Sequence, residues 1–374
     1  MPRCSTTLWG REEILCDDRL RCARKIRIAA DRSLEAAGLK RLLFNLAKVA
    51  ISLAILGYVI YLTQLEDSKP LQRLVEAEKQ WPALVAAFAL CATAVSLTFF
   101  RWYLLVRAID LPFRVRDAFR LGFIGYLFNF VSLGSVGGDL FKAVFIAREQ
   151  PLRRAEAVAS VVVDRVVGLL ALLLIAIVAV SMVDLESADP KIRSICNTAL
   201  AASVIGWVIA LFTLFPGATS GRVAQHLTRL PWIGRLCGRL LGAIEMYRRN
   251  FLTVFSTVIL SLVSHGLFAL SIYFIAEGLD RQQAVTLAEH FIIVPLGWFV
   301  QALPLPGQSL GAFELAMKKL YELVPATPAH NGLIIALGYR TITVVIAAVG
   351  IVYYVTRRRE VKEAMSEAQA EATP

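Results

Sequence analysis

Two acid–arginine pairs stand out by residue type and spacing. Asp139 is followed 26 positions later by Arg165, and Glu314 by Arg340 at the same interval. A guanidinium presents a planar fork of N–H donors that suits a phosphate. The two acids would then hold the arginines in place, meet a cationic group or take up a proton. The plainer alternative is a pair of structural ion pairs that lock chain segments together. Both acids follow backbone breaks: Gly137 and Gly138 before Asp139, and Pro304, Pro306 and Gly307 before Glu314. Asn129, Ser132, Ser135, Gln301, Gln308 and Ser309 surround those breaks, either to contact a ligand or to cap half-helices. Asp164 precedes Arg165, and Tyr339 precedes Arg340. Lys142 either nears the same phosphate or reaches for a polar interface.

The elements that must carry these residues are apolar. The 374-residue chain is 57% hydrophobic and 18% charged, too little polar surface for a soluble domain of this size. About 20 apolar residues suffice to cross a bilayer as a helix. Such blocks fall at 42–63, 83–104, 157–183, 196–215, 251–276 and 331–355. Between them, 118–148 breaks at Gly134, Gly137 and Gly138, and 289–320 breaks at Pro304, Pro306 and Gly307.

Loop charge sets the topology. If 118–148 crossed once, Arg148, Arg153 and Arg154 would lie outside, together with the Arg-rich segment 217–250, against the positive-inside bias. A hairpin that enters and returns puts both inside, and the same logic makes 289–320 a hairpin from the outer face. The expected fold is therefore an all-α integral membrane protein, with about six full transmembrane helices plus two re-entrant hairpins. Residues 1–40 form a basic, weakly ordered cytoplasmic tail, 41–356 the membrane domain and 357–374 a cytoplasmic C-terminal tail. Segment 218–249 reads as an amphipathic stretch against the anionic leaflet, for anchoring or for lipid selection.

The two broken stretches match at an offset of 175 positions: Gly122 with Gly297, Phe123 with Trp298, Asp139 with Glu314, Arg165 with Arg340. The repeat cores are 118–183 and 289–356. Three crossings separate them, so the copies are inverted, an architecture by which many transporters alternate access to a midplane site.

Other chemistry is excluded or weak. The net charge of +11 flanks apolar spans rather than forming a nucleic-acid stripe. Six cysteines lack any CxxC pair, and His226, His265, His290 and His330 are scattered without HExxH, so neither metal nor cofactor is expected. No phosphate-binding GxxxxGK[ST] loop occurs. The acids among the first forty residues argue against a transit peptide, and no apolar stretch there serves as a signal peptide. His265 is alone in its span, either a proton relay or a satisfied core histidine.

Gly137-Gly138-Asp139, Phe141-Lys142-Ala143 and Ser160 through Gly168 resemble the first signature of the lysylphosphatidylglycerol synthase transmembrane family. Pro304 through Gly307 and Gly311-Ala312-Phe313-Glu314 resemble the second, with Gln308-Ser309 where glycine is common. The resemblance spans about residues 40–356. It implies a flippase-like region that moves a polar-headed lipid, an anionic or aminoacylated phospholipid or an isoprenoid-type lipid, between leaflets of the bacterial inner membrane. Only about twenty residues follow Tyr354, so the soluble synthase domain of full-length members is not expected, nor is enzymatic activity. A phospholipid or another envelope lipid is the implied partner, with a second copy of the chain or a lipid-synthesis enzyme as further candidates. The alternatives are an intramembrane enzyme on a lipid carrier and a non-catalytic partner of envelope-lipid enzymes.

Overall fold

In a computed structural model, the described residues are 78–131, 137–182, 190–214, 245–279, 285–302, 309–324 and 331–356, with isolated positions at 57, 61, 226, 228, 234, 238 and 242. They form α1 (Trp81–Ala108), α2 (Val115–Val131), α3 (Gly137–Glu149), α4 (Arg154–Ser181), α5 (Pro190–Leu214), α6 (Phe251–Leu279), α7 (Leu287–Ala302), α8 (Ala312–Leu323) and α9 (Gly332–Thr356). No strand occurs among them. Five helices, α1, α4, α5, α6 and α9, are long and apolar enough to cross a membrane. They match five of the six expected crossings. The sixth, 42–63, lies outside the described residues, as do the two tails, most of 218–249 and the break residues Ser132, Gly134, Ser135, Pro304, Pro306, Gly307 and Gln308.

The long helices expose apolar faces. On α5, Val204, Ile205, Val208, Ile209, Leu211 and Phe212 are each at least 48% accessible. In water that surface would drive aggregation; against lipid chains it costs nothing. Such a face defines a multi-pass integral membrane protein.

The two broken stretches fold as helical hairpins, α2–α3 and α7–α8. At about 1.5 Å per residue, α3 and α8 are roughly 20 Å long, short of the roughly 30 Å hydrocarbon core. Across the first break Asn129 Oδ1 accepts from the Gly138 N–H at 2.8 Å. A Cβ at Gly138 would run into the Gly125 carbonyl and the Asn129 side chain, so only glycine lets α3 lie this close on α2. Across the second break the Ser309 hydroxyl donates to the Val300 carbonyl at 3.2 Å, again over nine residues.

The second hairpin has a further tie. His290 Nδ1 lies 2.9 Å from the Thr286 carbonyl, which can only accept. Nδ1 therefore carries the proton, and Nε2 accepts from the Tyr321 hydroxyl at 2.8 Å. Thr286 and Glu289 complete a reciprocal cap at the start of α7.

Shifted by 175 positions, α2, α3 and α4 fall on α7, α8 and α9 to within four residues at the helix ends. The correspondence extends to α1 and α6, which the sequence repeat had not included. These two run antiparallel in close contact: the Gln80 N–H donates to the Gly278 carbonyl at 3.1 Å, and Ser271 Oγ donates to the Ala87 carbonyl at 2.8 Å. Equivalent helices lying antiparallel is what an inverted repeat requires. The copies also interlock, because Gly350 on α9 packs on the α2 backbone at Phe123.

Residues 245–250, at the end of the basic segment, dock on α1. The Tyr247 hydroxyl donates to the Leu105 carbonyl at 3.0 Å, and Asn250 Nδ2 to the Ala108 carbonyl at 2.5 Å. Burial, helped by the charge of Asp164, pushes the Tyr247 phenol pKa up and keeps it a donor. These contacts satisfy carbonyls that the end of α1 leaves open.

Candidate functional site

Asp164 and Arg165 are neighbours on α4, but successive residues on a helix point about 100° apart. They therefore serve different partners. Arg165 Nε donates to Asp139 at the start of α3. Asp164 Oδ1 accepts from Arg101 Nε at 2.8 Å, and Arg101 Nη1 donates to Ser261 Oγ at 2.7 Å. Arg101 is only 8% exposed although it sits in a membrane-length helix. Gly168 makes room for it, since a Cβ there would lie 3.1 Å from Nη1.

These groups surround a cavity of about 380 Å³. Arg101, Asp139, Lys142, Asp164 and Arg165 line it from the first repeat, with Tyr126, Asn129 and Gly138; Trp298, Gln301 and Tyr339 close it from the second. Lys142 does not reach outward. Its Nζ stands over the Trp102 and Phe99 rings at 5.1 and 5.6 Å. Ser264 and His265, at the midpoint of α6, form another wall. His265 Nε2 lies 3.3 Å from the Gly168 carbonyl, and its ring tilts against Trp298.

The second acid–arginine pair is arranged differently. Arg340 Nε donates to Glu314 Oε1 at 2.8 Å, repeating the 26-residue span of the first pair. Glu314 Oε2 also accepts from the Gly311 N–H at 2.6 Å, where the chain takes a φ of 84° open to glycine. The pair is enclosed, with Glu314 at 0% and Arg340 at 7% exposure, and it does not line the cavity. The two arginines therefore differ: Arg165 lines the cavity, while Arg340 locks α9 to α8. The physical reason is enclosure. The rings of Phe313 and Tyr339 pack together beside this pair, and Phe313 stands against the Arg340 guanidinium.

Of the sequence candidates, Asp139, Lys142, Asp164, Arg165, Asn129, Gln301, Tyr339 and Gly138 meet at the cavity, and Gly137 opens α3 beside it. Ser132 and Gln308, with Pro304, Pro306 and Gly307, lie outside the described residues. Arg101 and Ser261 were missed. The signal for Arg101 was available, because an arginine inside an apolar span costs about 2.5–3.5 kcal/mol unless it is compensated. Among the described residues no group of three His, Cys, Asp or Glu side chains is placed to hold a metal.

Fold and site together define an all-α, multi-pass membrane protein whose two helical hairpins, 175 positions apart, border a charged cavity. The family model for the lysylphosphatidylglycerol synthase TM region matches residues 45–350, and the chain belongs to that family. It is thus a membrane protein related to lipid handling. No curated protein and no solved structure matches it.

Proposed function

We propose that the chain moves a polar-headed lipid between leaflets, with the headgroup passing through the cavity while the acyl chains stay in lipid. One observation carries this reading: three cations and two carboxylates from the membrane-length helices α1 and α4 and the short hairpin helix α3 converge inside the helix bundle, on a cavity that residues of α7 and α9 close. Charges inside such a bundle are costly and mark a path for polar cargo. Interrupted helices from both repeats end beside them, as in transporters with a midplane site. Both hairpins are read as re-entrant. Loop charge supports a bacterial inner-membrane orientation with both termini cytoplasmic, and 218–249 on the anionic leaflet. The residues serve binding and passage rather than bond-making chemistry.

Purified protein in vesicles carrying a fluorescent phospholipid tests this. Dithionite bleaches the outer leaflet, so translocation appears as bleaching beyond half of the signal. Wild type is expected to accelerate that phase, and Arg165→Ala to slow it at least tenfold. Equal rates in protein-containing and empty vesicles would exclude translocation, and a wild-type rate in Arg165→Ala would remove the arginine from the path.

A further inference from the structure

The charges lining the cavity do not balance, and the imbalance selects a ligand. Both carboxylates are already engaged, Asp164 by Arg101 at 2.8 Å and Asp139 by Arg165. Lys142 has no carboxylate of its own: Asp139 and Asp164 act on it only through space, and each is bonded to an arginine. Lys142 is 9% exposed, and among the described residues no oxygen accepts a hydrogen bond from its Nζ, which meets only the faces of Trp102 and Phe99. Aromatic faces compensate a mostly buried ammonium only in part, so one that faces the cavity is poised to receive an anion. None of the other polar side chains that line the space, Thr98, Tyr126, Asn129, Ser264, His265, Gln301 and Tyr339 among them, is an acid. The second repeat offers no counterpart, since Met317 occupies the position equivalent to Lys142, 175 residues on.

Building on the lipid-translocation reading, we propose that Lys142 is the docking point for the phosphate of a net-anionic lipid headgroup, and that the cavity disfavours headgroups carrying an added ammonium. A lysyl ester would bring a cation into a space with a surplus positive charge and no uncommitted carboxylate. The selectivity follows from this chain's own side chains and decides between the anionic and aminoacylated lipids in favour of the anionic.

The test compares two fluorescent lipids in the same reconstituted vesicles: phosphatidylglycerol, and lysylphosphatidylglycerol as the cationic form. Phosphatidylglycerol is expected to move at least tenfold faster. Lys142→Met installs the side chain that the fold already accommodates at the equivalent Met317. It is expected to abolish most of that preference, and Lys142→Arg to retain it. Equal or faster movement of the lysyl lipid overturns the proposal while leaving translocation intact. Failure of both lipids to move counts against the translocation reading itself, and binding by native mass spectrometry then decides the headgroup question: preferential retention of phosphatidylglycerol, lost in Lys142→Met, supports it, and no preference overturns it. Millimolar inorganic phosphate separates the sources of the anion. It leaves transport unchanged if the phosphate arrives on a lipid, whereas inhibition that Lys142→Met removes assigns the site to the free ion and overturns the lipid assignment.

Discussion

Arg340 donates to Glu314 at 2.8 Å inside a contact closed to solvent, while the equivalent Arg165 keeps 46% of its side chain accessible beside Asp139. One bond is thus repeated in two environments, and the environments assign different work. The enclosed pair holds α8 to α9. The open pair borders the cavity.

This difference predicts opposite mutational profiles. Glu314→Gln leaves a buried guanidinium poorly compensated and should cost about 3–5 kcal/mol. Asp139→Asn removes a partly hydrated partner and should cost at most about 1 kcal/mol, yet it should slow translocation. Thermal unfolding in detergent, set beside the vesicle assay, checks both; equal destabilisation by the two substitutions contradicts the assignment.

Arg101 and Asp164 are both nearly buried, so they should behave as a unit. Arg101→Gln alone is expected to cost about 3 kcal/mol or more. Combined with Asp164→Asn it should cost less than the sum of the single changes, because the second substitution removes the stranded charge. A double-mutant cycle measures this directly, with a coupling of about 0.5–3 kcal/mol for residues in contact. Strictly additive costs would show that the two do not depend on each other.

Gly138 sets the spacing of the first hairpin. Gly138→Ala would place a methyl group against the Gly125 carbonyl and the Asn129 side chain, forcing α3 away from α2 at a cost of about 1–3 kcal/mol. Lower melting temperature and lower transport should appear together. Gly242→Ala, with open space around the added carbon, is the control and should change neither.

Much of this architecture is legible in the order of residues alone. Apolar length gives α1, α4, α5, α6 and α9 to within a few residues, because lipid leaves the backbone no partner but itself. The glycines and prolines give the positions where α2 and α7 stop, and the common interval gives both acid–arginine bonds. Burial is not legible. Asp139 and Glu314 look alike in sequence, and only the packing of Phe313 against Tyr339 separates a closed pair from an open one. The partners of Arg101 are hidden for another reason, although an arginine in an apolar span is itself a visible signal. Asp164 and Ser261 are 63 and 160 residues away, and spacing along one helix carries no information about them. The α1–α6 equivalence is hidden too, since packing apolar faces together needs no shared residue types.

The central claim is a wet cavity at membrane depth, and paired cysteine probes test it most directly. Leu169 and Ile205 are 46% and 59% exposed and stand near the middles of α4 and α5, but only Leu169 lines the cavity. A charged, membrane-impermeant thiol reagent needs water and a thiolate to react. Leu169→Cys in vesicles should therefore be modified rapidly and Ile205→Cys should resist. Equal resistance at both positions would contradict a hydrated cavity, and the headgroup path would fall with it.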